Sequence, residues 1–214
     1  MRVSIDGREL EVQAGTTVLE AIRAAGLDVP TLCFDSRQAP FGACRVCLVG
    51  VDGAPAPIAA CTSQCHEGMS VDTREPTARR VAAAVVELVL SELPEAPAEH
   101  TELAAAAREL GVAVERLRWR GAVHERRHDE RHPYLVLRHE LCISCGRCVR
   151  ACDELQGAFA LSATGRGFDA NVAAGLDAGF RESSCVSCGA CADTCPTDAI
   201  SEHTLLALPD AVRG

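Results

Sequence analysis

Lysine is missing from this sequence of 214 residues: all 21 basic side chains are arginine. We read that absence as composition bias and not as function. Against 30 acidic residues the arginines leave a net charge of −9, which argues against nucleic acid as the main partner. Aromatic residues make up only 3% of the chain. Much of the apolar fraction is alanine, so a single large aromatic core is not expected. No run approaches the roughly 18 apolar residues that a membrane span needs. The longest apolar stretch, Val81 to Leu90, is broken by Glu87. Met1 to Gly7 holds no apolar signal core. These absences predict a cytoplasmic protein with no direct membrane insertion. No Gly-rich nucleotide fingerprint and no nucleophile–base pair stands out either, so no catalytic residue is expected.

Cysteine is what the chain has in excess, with 13 residues. In a small secreted protein they would suggest disulfides. Here they fall into tight C-x-x-C groups, which favour metal sites and a reducing home.

The remaining pattern predicts an α+β fold. Residues 3–12 alternate around Asp6-Gly7, a hairpin signal. Thr17 and Glu20 form a capping-box pattern for a short helix that Gly26 should end. A strand at Val46–Val51, a turn at Asp52-Gly53 and a Pro-interrupted strand to Cys61 complete a small mixed sheet. Helices are expected at 77–93, with Val81, Val85 and Leu88 on its apolar face, and at about 101–110, closed by Gly111. Residues 115–132, rich in Arg and His, read as a solvated connector or a strip lying on a partner. His124, His128, His132 and His139 lie in or beside it and receive no catalytic role. The expected organisation is a first domain at 1–76, a helical linker region at 77–132 and a second domain at 133–214.

The second domain contains a repeat. Cys142, Cys145, Cys148 and Cys152 have the same C-x2-C-x2-C-x3-C spacing as Cys185, Cys188, Cys191 and Cys195. Such a duplication implies approximate two-fold symmetry. Three cysteines at i, i+3 and i+6 can wrap one [4Fe–4S] cube, while the fourth, at the start of the next helix, reaches the other cube. The expected ligand sets are therefore Cys142, Cys145, Cys148 and Cys195 for cube A, and Cys152, Cys185, Cys188 and Cys191 for cube B. Gly146 and Gly189 should leave room for the backbone beside the sulfurs, and Pro196 should direct the chain away. Zinc also uses C-x-x-C pairs, but it needs no third cysteine at the same interval. Near the N-terminus, Cys33, Cys44, Cys47 and Cys61 supply four thiolates for a [2Fe–2S] rhomb, with a longer first gap than the plant-type spacing. Cys65 is left over. It is either an alternative ligand or, as we read it, an unliganded bystander.

Val29-Pro30-Thr31-Leu32-Cys33, the stretch Gly42 to Val49, and Ala60-Cys61-Thr62 resemble the N-terminal module of the large iron–sulfur subunit of respiratory complex I. The same module opens NAD-dependent formate dehydrogenase catalytic subunits and occurs in a diaphorase subunit of NAD-linked hydrogenases. Cys142 to Gly157 and Cys188 to Thr197 look especially like the formate dehydrogenase versions. The resemblance implies a β-grasp ferredoxin domain, a helical middle and a bacterial-type two-cluster ferredoxin domain. It also implies a middle cluster site of the form H-x3-C-x2-C-x5-C. Here His100 is present, but Ala104 and Ala107 stand where the first two thiolates would be. We therefore expect that site to be lost, and electrons to cross either directly or through a partner's cluster. The sequence ends at Gly214, short of any molybdopterin region. The expected role is thus a non-catalytic electron-transfer subunit between a catalytic subunit, foremost a molybdopterin formate dehydrogenase, and a diaphorase-type subunit. The alternatives are the small iron–sulfur subunit of an NAD-linked hydrogenase or a free ferredoxin-like carrier.

Overall fold

A computed structural model describes residues 1–123, 128–175 and 179–203. The expected hairpin is present. Strand β1 (Arg2–Ile5) pairs antiparallel with β2 (Arg8–Glu11) across Asp6-Gly7. Helix α1 (Val18–Ala24) starts on the Thr17–Glu20 capping box, with each side chain bonded to the other residue's backbone N–H. It closes where the Leu27 N–H donates to the Ile22 carbonyl and the Gly26 N–H to the Arg23 carbonyl, a Schellman cap. Val18, Leu19 and Ile22 of this helix are fully buried under the sheet with Ile5 and Val49.

Strand β3 (Leu48–Val51) begins two residues later than its apolar run. Strand β4 shrinks to Ile58–Ala59. A fifth strand, β5 (Met69–Asp72), was not expected. It enters the centre of the sheet, parallel to β1 and antiparallel to β3, giving the order β2-β1-β5-β3-β4. Its polar residues and distant partners hid it, because parallel pairing needs a long connection and leaves no local turn signal.

Helix α2 (Pro76–Ser91) starts with the Glu75 carboxylate accepting from the Ala78 N–H and with proline at its first position, both good N-terminal signals. The predicted apolar face is corrected by the structure. Val81 is 38% and Leu88 48% exposed, while Ala78, Ala82, Val86 and Leu90 are buried. The helix lies against β3 and against α3 (Glu102–Leu110). Small residues permit that close approach, so alanine wins the core side. Leu90→Ala should therefore destabilise the protein by about 2–5 kcal/mol. Leu88→Ala should stay within about 0.5 kcal/mol. Denaturant unfolding of the two variants checks this, and equal effects would contradict the assigned face.

Glu87, also buried, accepts from Arg118 through both the backbone N–H and the guanidinium, with Nε to Oε2 at 2.7 Å. This anchors the start of the connector. Its far end is not solvated as expected: Asp129 and His132 are buried, and Asp129 bridges to Leu137. His124 falls outside the described residues.

The second domain has two short antiparallel pairs. Strand β6 (Leu135–Leu137) pairs with β9 (Ile200–Glu202), and β7 (Leu161–Thr164) pairs with β8 (Asn171–Ala174). Between them pack α4 (Arg147–Arg150), prolonged by a wider helical turn at Ala151–Leu155, and α5 (Ala190–Asp193). Among the described residues no helix is long and apolar enough to cross a membrane.

Candidate iron–sulfur sites

The first four cysteines converge on loops around β3 and β4. Cys33, Cys47 and Cys61 are buried and Cys44 is half-buried. The Cys44 N–H donates to the Cys33 sulfur at 3.4 Å. The Cys44 and Cys61 thiols lie beside Cys33, and the Cys61 thiol beside Cys47. Thiol donors beside Cys33 and Cys47 pull those two below the ordinary thiol range, and the donors Cys44 and Cys61 are pushed above it. Cys65 is buried in the same domain core, with its thiol pushed up by burial. It packs as a small apolar side chain.

In the second domain the two runs line two separate cavities. One is walled by Cys142, Cys145, Cys148 and Cys195 together with Ile143 and Pro196. The other is walled by Cys152, Cys185, Cys188 and Cys191 together with Phe180 and Val186. Each cavity takes three cysteines from one run and the last cysteine of the other. The helices begin earlier than expected, so the third cysteines, Cys148 and Cys191, sit inside α4 and α5. Gly146 and Gly189 precede these helices at φ +75° and +79°. An added Cβ would find its nearest atoms 3.5 and 3.7 Å away. Left-handed backbone, rather than lack of space, therefore calls for glycine here. Ser144 and Ser187 also have positive φ. Their N–H groups donate to Cys142 and Cys185 sulfurs, each at 3.4 Å, and the Ala160 N–H reaches Cys152 at 3.1 Å.

The chemistry of this donor set fits a highly charged metal centre. Burial pushes Cys145 and Cys191 up to about 12, helped by Cys195 for the first and Cys185 for the second, and raises Cys148 well above the ordinary range. Ionising such a buried set requires compensating positive charge, which iron supplies. Among the described residues no three His, Cys, Asp or Glu side chains converge as ligands of a single metal ion. Cysteines that wall a cavity in this way suit a cluster.

The two domains meet directly. Leu32, Val46, Val86, Leu90 and Leu103 form one apolar cluster, and both Cys44 and Ile143 pack against it. Beside it runs a polar seam. Asp35 accepts from Arg37 at 2.7 and 3.0 Å and from Thr194 at 2.7 Å. Arg147, buried, donates to Thr194 at 3.0 Å and to Glu102 at 2.6 Å. Arg37 also reaches Asp193 at 2.6 Å. Arg150 donates to the Cys33 carbonyl at 2.6 Å and to the Ala39 carbonyl, and lies over the Phe41 ring. His100 is hydrogen-bonded to Asp198 at 2.6 Å, while Ala104 and Ala107 are buried.

His132, given no role from sequence, lies with Nε2 3.6 Å from the Cys185 sulfur. Burial pushes its pKa below the ordinary value. The two residues are far apart in the chain, so no local pattern joins them. The seam residues Asp35 and Arg147 were missed for the same reason.

Residues 1–76 match the family described as a 2Fe-2S iron-sulfur cluster binding domain, and residues 141–199 match the 4Fe-4S dicluster domain. One of the NADH-quinone oxidoreductase subunits of Rhizobium meliloti is 33% identical, over 94% of this chain and 24% of its own length. NADPH-Fe(3+) oxidoreductase subunit alpha of Geobacter sulfurreducens is 33% identical over 77% of this chain and 20% of its own. NADP-reducing hydrogenase subunit HndD of Solidesulfovibrio fructosivorans is 30% identical over 99% and 39%. The chain therefore spans well under half the length of these curated relatives. A chain in the crystal structure of a NAD+-reducing [NiFe]-hydrogenase in its H2-reduced state superposes with TM-score 0.87 and 27% identity, covering 97% of this chain and 90% of that one.

Proposed function

The chain belongs to the iron–sulfur family that includes the large iron–sulfur subunit of complex I and the NAD-linked hydrogenase subunits, and on that premise we propose that it is a non-catalytic electron relay within an NAD-linked oxidoreductase assembly. Iron–sulfur clusters, when bound, supply one-electron transfer. The ligands in this reading are Cys33, Cys44, Cys47 and Cys61 for the [2Fe–2S] rhomb. Cys142, Cys145, Cys148 and Cys195 hold cube A, and Cys152, Cys185, Cys188 and Cys191 hold cube B.

The observation that carries the reading is the shared apolar cluster at the domain junction. Cys44 of the rhomb site and Ile143, between two cube A ligands, pack into it together. This supports direct passage between the domains, with no middle cluster and no partner's cluster. Helices α4 and α5, which carry Cys148 and Cys191, pack against one another, which supports passage from cube A to cube B. At the far end Cys188 is exposed beside the exposed Val186. We take that loop as the face where a redox partner exchanges electrons.

The partners in this reading are a separate catalytic subunit and a diaphorase-type subunit. A molybdopterin formate dehydrogenase and an NAD-linked hydrogenase both suit it. The 90% coverage of a chain in the hydrogenase structure supports the second. Iron and sulfide analysis with EPR on anaerobically purified protein tests the relay. About 10 iron atoms per chain are expected, and about 14 would restore a middle site. Zinc without iron would refute the whole reading. The reduced rhomb and cube A should show mutual magnetic coupling in EPR power saturation, and independent relaxation would refute direct passage.

A further inference from the structure

We propose that His132 sets the reduction potential of cube B by donating a hydrogen bond from Nε2–H to the Cys185 sulfur. This rests on the ligand set proposed above.

The tautomer follows from the ring's other side. The backbone N–H groups of Tyr134 and Leu135 donate to Nδ1 at 3.1 and 3.0 Å. A ring nitrogen that accepts two such bonds carries no proton, so the proton of the neutral imidazole is on Nε2. Its one proton is shared between the Cys185 sulfur at 3.6 Å and the Ser187 hydroxyl oxygen at 3.2 Å. The Ser187 N–H itself donates to the same sulfur at 3.4 Å. The ring is held in place, being 4% exposed and set edge-on to Phe180 and Tyr134 at 5.5 and 6.0 Å between centroids. The His132 carbonyl also lies 3.1 Å from His203 Nε2.

A donor aimed at a ligand sulfur stabilises the more negative, reduced state of the cluster and so raises its potential. Two donors on one sulfur, one from the backbone and one from a side chain, make Cys185 a point where the protein adjusts cube B independently of cube A. His132 is a positioning residue here and takes no part in transfer itself.

The test is an EPR-monitored redox titration of the full chain, wild type against His132→Phe and His132→Gln. His132→Phe should shift one cube to lower potential and leave the other cube and the rhomb unmoved. His132→Gln, which keeps an N–H donor, should return most of the shift. Cys185→Ser identifies which signal is cube B; if that variant spares both cubes, the ligand reading fails rather than this one. An unchanged potential in His132→Phe with full iron content overturns the proposal, as does an equal shift of both cubes. Should His132→Phe lose iron, pulsed EPR of wild-type protein labelled with 15N-histidine decides. A weak imidazole coupling at cube B supports the hydrogen bond, and its absence overturns it.

Discussion

Replacing Cys195 with Ser is expected to remove the cube assembled mainly by residues 142–148, some fifty positions away, and to spare the one held by its own near neighbours. The reason is the proposed crossing of the last ligands. Cys195 walls the cavity with Cys142, Cys145 and Cys148, whereas Cys185, Cys188 and Cys191 wall the other. A serine hydroxyl is a poor substitute for a thiolate that must bind iron. About four iron atoms per chain should be lost, with one cube's EPR signal gone and the other retained. Cys152→Ser should do the converse. If Cys195→Ser instead removes the signal that Cys185→Ser removes, the ligands do not cross. Iron analysis and EPR on the two variants settle this without any knowledge of the physiological partner.

Arg147→Met should destabilise the seam between the domains by about 3 kcal/mol, the low end of the range for breaking a buried ion pair. Arg147 is 5% exposed, and its guanidinium donates to Thr194 and Glu102 while Asp35 lies 3.8 Å away. Its removal leaves Thr194, fully buried, without that donor. The low end applies because Asp35 keeps Arg37 and because Glu102 is half exposed. Denaturant unfolding measures the loss, and the magnetic coupling between rhomb and cube A should weaken with it. A wild-type midpoint would show that the seam does not depend on Arg147. The pH dependence has a definite sign. The Arg37 guanidinium, with Thr194 beside it, holds the Asp35 carboxyl well below the usual carboxylate range. A depressed carboxyl stabilises the fold fully above its unfolded value of about 3.9, and that contribution is lost as pH falls below it towards the folded value. Wild type should thus weaken at the seam only in strong acid.

Sequence disclosed what is local. The capping box at Thr17 and Glu20, the glycines that end α1 and α3, and the spacing of the cysteine runs all act over a few residues, and each is where its pattern places it. The face of α2 was misread because hydrophobicity ranks Val81 and Leu88 above Ala78 and Ala82, while close helix packing ranks them the other way. Strand β5 was missed because its partners are remote and its residues half polar. The burial of Asp129 and His132 was missed because only the second domain's fold brings Phe180 and Cys185 to them. What could not be read was, in each case, set by contacts distant in the chain.

The Arg150 clamp has a consequence for how the two cysteine-bearing loops depend on each other. Its planar guanidinium reaches from α4 to the Cys33 and Ala39 carbonyls and matches such acceptors in a rigid fork. The loop that presents Cys33 is therefore propped by the same helix that carries Cys148, so neither loop can be rebuilt without disturbing the other.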